Sequence, residues 1–431
     1  MKFTEEFLYH IWDAQHLNEK LFTQSGKQVN IKFPGRWNTD SGPDFKDAII
    51  ELNAQVLKGD VEIDLTSYHW KSHSHHENPE FNNVLLHLVY ENKNKKPYTI
   101  SENGTRIEIL EVKDQLTEDI SKLIKHYSNK PYSEKDRSCD LFNNMNITET
   151  EQFLKQMGMK RFEKKIKRFT AEHFFSDFDQ LFYMGFMEAL GYSKNKYQMM
   201  QIASNLTYKN LKEFYNKGMT KEEFISILLC SSGIIEHIPS IICNEQKLKW
   251  ISLFQKFPQI QILDISWKLF RVRPINHPAV RILQVTDIIY DSLETSIFHN
   301  ILKPFSFPKD NFILRDFKNK LYAYFQIKNN YLPERYKLGK TRIDTLLINI
   351  ILPLAVVYSR EKKYNNLEGT VYTIYQSFSG LPSNFLTQYM EKFLNIEQKK
   401  IVKRNAINQQ GLLNIYYEYC KHHLCEACSS K

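Results

Sequence analysis

The spacing of apolar residues changes once along the chain, and that change divides it. Residues 4–16, "TEEFLYHIWDAQH", set Phe7, Leu8, Ile11 and Trp12 at helical spacing behind Thr4, a candidate N-cap, and predict a first helix. From Val29 the pattern becomes short strands punctuated by Gly and Asn: "VNIKF", "FKDAIIEL", "LKGDVEIDL", "NNVLLHLVY" and "TRIEILEV". This mixed unit ends near residue 115. A polar stretch, "SNKPYSEKDRSCDLFNNMN", reads as a linker, and beyond it the helical period holds almost to the C-terminus. The predicted fold class is α+β: an N-terminal mixed α/β domain over 1–135, a helix followed by a small mixed sheet, and a larger all-helical domain over 136–431.

Two helical segments refine that reading. "EQFLKQMGMKRFEKKIKRF" places Met157, Phe162, Ile166 and Phe169 on one face, with Lys160, Lys164, Lys165, Lys167 and Arg168 largely outside it. The basic face is either solvated or set against phosphates. "TLLINIILPLAVVY" is the most apolar stretch, but Asp344 and Arg360 bound it and Pro353 interrupts it, so it predicts a buried, kinked helix and no membrane span.

The strand "GDVEIDL" carries chemistry. Side chains alternate across a sheet, so Glu62 and Asp64 share one face while Val61, Ile63 and Leu65 share the other. Neighbouring carboxylates repel, and keeping both ionised requires a positive charge close by. A divalent cation with hard oxygen ligands, Mg²⁺ or Mn²⁺, meets that need. Asp44 follows a Gly-Pro turn at the head of "FKDAIIEL", and hairpin pairing with "LKGDVEIDL" would bring it near Glu62. Histidines offer a competing ligand set. "YHWKSHSHH" supplies His69, His73, His75 and His76, with His73 and His75 on one face if the segment is extended, and His87 lies inside a strand. Imidazoles suit Zn²⁺, Fe or Mn, whereas a lone strand histidine such as His87 reads more readily as a hydrogen-bonded core residue.

An Asp after Pro at the start of one strand, followed by E-x-(basic) on the next, resembles the metal site of the PD-(D/E)xK nuclease superfamily. Over the first quarter of the chain this implies a nuclease-like domain in which Asp44 and Glu62 hold the metal, Glu5 or Glu6 is an extra acid, and phosphodiesters are hydrolysed. Where that superfamily places Lys, this chain has Asp64; Lys58, Lys71 or His73 are the alternatives for the missing basic group. The catalytic candidates are therefore Asp44, Glu62, Asp64 and His73.

Six cysteines are too few and too unevenly spread for a disulfide framework, which fits a reducing, cytoplasmic setting. The acids Glu5 and Glu6 so close to the start also count against a secretory signal. Cys230 and Cys243 read as core filler. Cys420, Cys425 and Cys428 form a C-x4-C-x2-C array that predicts Zn²⁺ or an iron-sulfur cluster, with Cys139 as first candidate for the fourth ligand and His422 or His423 as the local alternative for zinc. The array also resembles the cluster of some helicase-associated nucleases, in which the isolated cysteine precedes the nuclease core.

A formal net charge of +9 points either to a polyanionic partner, DNA or RNA, or to a merely basic surface. "WKLFRVRPINHPAVRIL" gathers Arg271, Arg273 and Arg281 around two prolines, where they would grip phosphates or complement a helix C-terminus. Finally, "WNTDSGPDF", "GDVEIDLTSYHW", "NNVLLHLVY", "RVRPINHPAVRI", "INIILP" and "QQGLLNIYYEYCKHHLCEAC", in that order, resemble an uncharacterised bacterial family known only as a domain of unknown function. In its relatives the strand reads more like G-x-V-E-I-H, so Asp64 stands where they have histidine. Three functions are expected: a metal-dependent nuclease, a non-catalytic nucleic-acid-binding or scaffold protein with a structural metal, and a His/carboxylate metallohydrolase.

Overall fold

Eight strands within residues 21–111 pair into one mixed sheet. The computed structural model describes residues 3–93, 95–127, 139–305, 314–325 and 331–429, so the proposed boundary at 135/136 and most of the linker lie outside the described residues. The strands are β1 (Leu21–Phe22), β2 (Gln28–Phe33), β3 (Arg36–Trp37), β4 (Phe45–Leu52), β5 (Gln55–Thr66), β6 (Val84–Glu91), β7 (Tyr98–Ile100) and β8 (Arg106–Glu111). Their order is β1-β2-β4-β5-β6-β8-β7, with β3 alongside β4.

β4 and β5 are the hairpin that the alternating pattern predicts, with Phe45 opposite Val61. Asn53 and Ala54 turn the chain between them at φ 45° and 66°, the double left-handed geometry that matches strand twist. β5, β6 and β8 then run parallel, which requires a long crossover between β5 and β6. That crossover contains the single-turn helix α2 (His69–Ser72) and the histidines. Gly59 is required where β5 meets the end of the crossover: a Cβ there would stand 2.5 Å from Leu85 Cγ and 2.6 Å from the Asn83 carbonyl.

Helix α1 (Glu5–Ala14) buries Phe7, Leu8, Ile11 and Trp12, as their spacing predicts, against Val61, Ile63, Leu86 and Leu88. Thr4 occupies the N-cap position but its side chain makes no capping hydrogen bond. The other face of β5 carries Asp60, Glu62 and Asp64 toward a smaller apolar cluster of Trp70, Phe81, Val84 and Ile107.

The remaining described residues are mainly helical, apart from loops such as the irregular stretch 255–273. The Ile147–Glu172 helix starts in a capping box between Asn146 and Glu149 and buries Met157, Phe162, Ile166 and Phe169. Its basic side chains are committed within the protein. Lys160 and Lys164 pair with Glu418, Lys165 donates to Asn349 and Gln410, and Arg168 pairs with Glu172 and Glu188. Of the face read as solvated or phosphate-binding, Lys165 and Arg168 are turned into an internal seam, while Lys160, Lys164 and Lys167 remain exposed.

Around Pro353 the chain forms a π-helical turn, Leu347–Ile351, between two α-helical segments. The wider turn accommodates a residue with no N–H, so the predicted kink takes the form of a π-bulge. The run 334–362 is long and apolar enough to cross a bilayer by length and composition, yet 67% of its apolar window is packed inside the protein, as in a core helix. Cys230 is buried as expected, but Cys243 is exposed at the N-cap of the Asn244–Phe254 helix, because its polar neighbours turn outward there.

Candidate metal centre

The carboxylates of β5 meet the histidines of the crossover at the α1 end of the sheet. Asp64 is almost wholly buried, 1% exposed, in a strand covered on both faces. Its Oδ2 lies 3.0 Å from Nε2 of His87 on the neighbouring parallel strand. His87 is fully buried, and burial lowers its pKa, so the ring is neutral and donates Nε2–H to the carboxylate. That bond leaves Oδ1 facing the crossover. There His73 Nδ1 stands 3.3 Å from it and His69 Nδ1 3.6 Å. His69 Nδ1 is also 3.0 Å from Glu5 Oε1, which brings the first turn of α1 into the cluster.

The crossover does not run extended, which corrects the expectation that His73 and His75 lie on one strand face. His69 and His73 are one helical turn apart on α2 and its C-cap, with ring centroids 5.0 Å apart. Ser74 then takes a left-handed conformation, φ 60°, and reverses the chain. His75 returns to Glu62, Nε2 to Oε1 at 3.0 Å, held between the rings of Trp70 and Phe81. The ring nitrogen is buried and makes no hydrogen bond despite this approach. Two lone-pair atoms so placed suit joint ligation of a cation. Burial lowers the His75 pKa as well, keeping the ring neutral and its lone pair available. His76 points elsewhere, to Glu77.

Asp44 and Glu62 are neighbours. The Asp44 amide donates to Glu62 Oε2 at 3.2 Å, and the Ile63 amide donates to Asp44 Oδ2 at 2.9 Å. Tyr9, on α1, hydrogen-bonds the Asp44 carboxylate. Burial first and repulsion from Glu62 second push the Asp44 carboxyl up to about 8. Glu62 is pushed up to about 8 by burial and then by Asp64. Neither lysine near this strand relieves them by contact, since Lys46 pairs with Asp60 and Lys58 with Asp47.

Among the described residues, the compact ligand sets here are Glu5, Asp64, His69 and His73, and Glu62, Asp64 and His75, with donor atoms within 4.8 Å of one another in each. The centre of the cluster is therefore Asp64 and the imidazoles, with Asp44 beside it. Sequence reasoning named Asp44, Glu62, Asp64 and His73 as catalytic candidates and offered His69 and His75 only within a competing imidazole ligand set; it did not single out Tyr9. The H-x-x-x-H spacing of His69 and His73 was the available signal.

Residues 5–380 match the family described as Protein of unknown function (DUF2851). The chain belongs to DUF2851. No curated protein and no solved structure matches. The likeness to PD-(D/E)xK nucleases thus rests on Asp44, Glu62 and their hairpin alone. The DUF2851 match includes the whole cluster and stops before the cysteine tail.

The other candidates lie elsewhere. Glu6 joins His10 and His422 in a further compact ligand set, with His422 stacked on Trp37 at 4.5 Å. Cys139, Cys420, Cys425 and Cys428 share one neighbourhood. Cys139, Cys420 and Cys428 belong to the apolar cluster beneath the tail, and ionisation of Cys428 is opposed by the other three thiols after burial. Among the described residues these sulfurs do not form a compact set like those above. Arg271 and Arg273 are exposed. Arg281 is buried, its two terminal nitrogens donating to Gln284, Tyr192 and Asn276.

Proposed function

We propose that the N-terminal domain is a divalent-metal-dependent hydrolase of phosphodiesters, with DNA or RNA as the substrate class. The observation that carries this reading is the meeting of Glu62, Asp64 and His75 within ligand distance of one another in a pocket of neutral imidazoles and buried acids. Mixed oxygen and nitrogen donors favour Mn²⁺ or Zn²⁺ over Mg²⁺. A cation held there supplies Lewis acidity toward a phosphate oxygen and toward an attacking water. His87 fixes the orientation of Asp64, and Tyr9 fixes that of Asp44. Asp44, oriented by Tyr9 and by the Ile63 amide beside Glu62, is the candidate to accept a proton from water at a pH where it is ionised. The net charge of +9 supports a polyanionic substrate.

The test is hydrolysis of bis-p-nitrophenyl phosphate, single-stranded DNA and RNA by the full chain with Mn²⁺ or Zn²⁺. Chelation, Asp44→Asn and Glu62→Gln should each abolish turnover. Turnover that survives both substitutions rejects the assignment, and salt-dependent binding without turnover would point to a non-catalytic role.

We also propose that Cys139 and the C-terminal trio take up a soft metal ion, zinc or the iron of a cluster. What supports this is the presence of four thiols in one partly buried neighbourhood, one of them, Cys139, brought in from far away in sequence.

A further inference from the structure

The two ligand sets on β5 share one residue, Asp64. Donor atoms on a single cation of this class stand at most about 4.4 Å apart, twice a bond of roughly 2.2 Å. Each set approaches that size on its own, with donors within 4.8 Å, but the six residues together do not form one compact set. One ion cannot serve Glu5, His69 and His73 on one side and Glu62 and His75 on the other. Two ions can, if a carboxylate lies between them.

We propose that this is a dinuclear centre bridged by Asp64, with one cation on Glu5, His69 and His73 and a second on Glu62 and His75. This rests on the metal-dependent reading above and deepens it. Three features of the structure converge on it. Asp64 is the most buried acid of the cluster and lies in the middle, with Oδ1 approached by both α2 histidines and Oδ2 held by His87. The histidines of the two sets come from opposite sides of the left-handed turn at Ser74, His69 and His73 before it and His75 after it, so the turn sends them to different carboxylates. Charge gives the third. Among the described residues, Glu5, Asp44, Glu62 and Asp64 gather without a lysine or arginine paired to any of them, and two divalent cations balance four carboxylates where one leaves an excess. Paired ions about 3.5–4 Å apart are a recurrent arrangement for clamping attacking and leaving oxygens of a phosphate.

The experiment uses the full chain, stripped with chelator and titrated with Mn²⁺, a hard ion that leaves the cysteine thiols largely alone. Elemental analysis gives the stoichiometry and low-temperature electron paramagnetic resonance reads the coupling between ions. The expected result is an exchange-coupled pair, its hyperfine spacing half that of an isolated ion. His73→Ala, at a side chain 43% exposed and so safe for folding, should remove one Mn²⁺ equivalent and leave an uncoupled six-line spectrum. Asp64→Asn should lose the coupling. The coupled signal reports the pair whether or not Glu6, His10 and His422 hold an ion of their own. An uncoupled spectrum in the unsubstituted, folded chain overturns the bridge while leaving a one-ion hydrolase standing. A coupled pair without any phosphodiester turnover supports the bridge and rejects the hydrolase. Failure of the folded chain to take up Mn²⁺ overturns both.

Discussion

His87 Nε2 donates to Asp64 Oδ2 across 3.0 Å between two adjacent parallel strands, with both side chains essentially excluded from water. The bond fixes which oxygen of Asp64 faces the crossover histidines, the part an outer partner plays in metal sites. His87→Leu keeps the volume and removes the donor. Mn²⁺ affinity should fall about 10–100-fold by calorimetric titration. The metal-free protein should lose on the order of 1–3 kcal/mol in urea unfolding, because a buried acceptor is left unpaired. Unchanged affinity would mean that Asp64 is oriented without His87.

Glu62 gives the opposite sign for stability. Its carboxylate is buried and repelled by Asp64, and it also repels Asp44, so the metal-free protein tolerates its charge poorly. Glu62→Gln keeps an oxygen able to accept the Asp44 amide and removes the charge. The metal-free variant should melt higher than the parent, by about 0.5–2 kcal/mol in stability, while losing most of the thermal shift that Mn²⁺ confers. A lower melting point without metal would contradict the repulsion argued here.

The part of this site legible in sequence is the part set by a short turn. β4 and β5 are joined by two residues, so alternation puts Glu62 and Asp64 on one face, but Asp44 stands beside Glu62 only because the register shifts by one residue between Phe45 and Ala48, where Asp47 takes φ 58°. His87 meets Asp64 through a parallel pairing, whose register no adjacent turn fixes. His69, His73 and His75 were readable as a cluster but not as a geometry, because one left-handed residue, Ser74, decides where each ring points. Lys165 and Arg168 show the same limit in the helical part. A period of 3.6 places them off the apolar face, but only the distant Asn349, Gln410 and Glu188 make that side an interior. Arg281 lies on a helix buried almost all round, and its internal partners Gln284, Tyr192 and Asn276 could not be read from its neighbours in sequence.

The helical part depends on a close crossing. A Cβ on Gly411 would come within 2.0 Å of the Leu154 carbonyl, and one on Gly158 within 2.3 Å of the Ile407 carbonyl. The Ile147–Glu172 and Ala406–Glu418 helices therefore pack nearly backbone to backbone at these two glycines. Gly411→Ala must push the helices apart, and although alanine is the better helix former by about 1 kcal/mol, the net effect should be destabilising. A melting temperature equal to or above the parent's would refute the crossing.

The cysteine tail makes a separate prediction. Protein prepared with zinc should carry one tightly held equivalent outside the N-terminal centre, and Cys428→Ser, at the most buried thiol of the trio, should release it. Binding would draw the four sulfurs closer than they stand in the metal-free arrangement. The check is elemental analysis beside thiol counting with a chromogenic disulfide: four protected thiols in zinc-loaded protein, fully reactive after chelation. Equal reactivity in both states would remove the tail from the metal sites.

A last prediction concerns acid stability. Arg36, on β3, pairs with Asp47 and also reaches Glu172 and Glu188 in the helical part, where Arg168 meets the same two glutamates. Burial alone would raise the Glu188 pKa, but Arg168 and Arg36 overcome it and hold the carboxyl at about 2. An acid whose folded pKa lies below its unfolded value of roughly 4.3 contributes its full stabilisation above that value. That contribution drains away as pH falls through the unfolded value toward about 2. The parent should therefore lose stability steeply between those limits in urea unfolding, and Glu188→Gln should flatten that part of the profile. Arg168→Met, which leaves two buried carboxylates with only Arg36, should cost about 3–5 kcal/mol at neutral pH. Part of that loss should return on acidification, as Glu188 takes up a proton. A variant whose deficit stays constant from neutral pH down to about 3 would place the role of Arg168 in packing rather than in charge, against the pairing with Glu188.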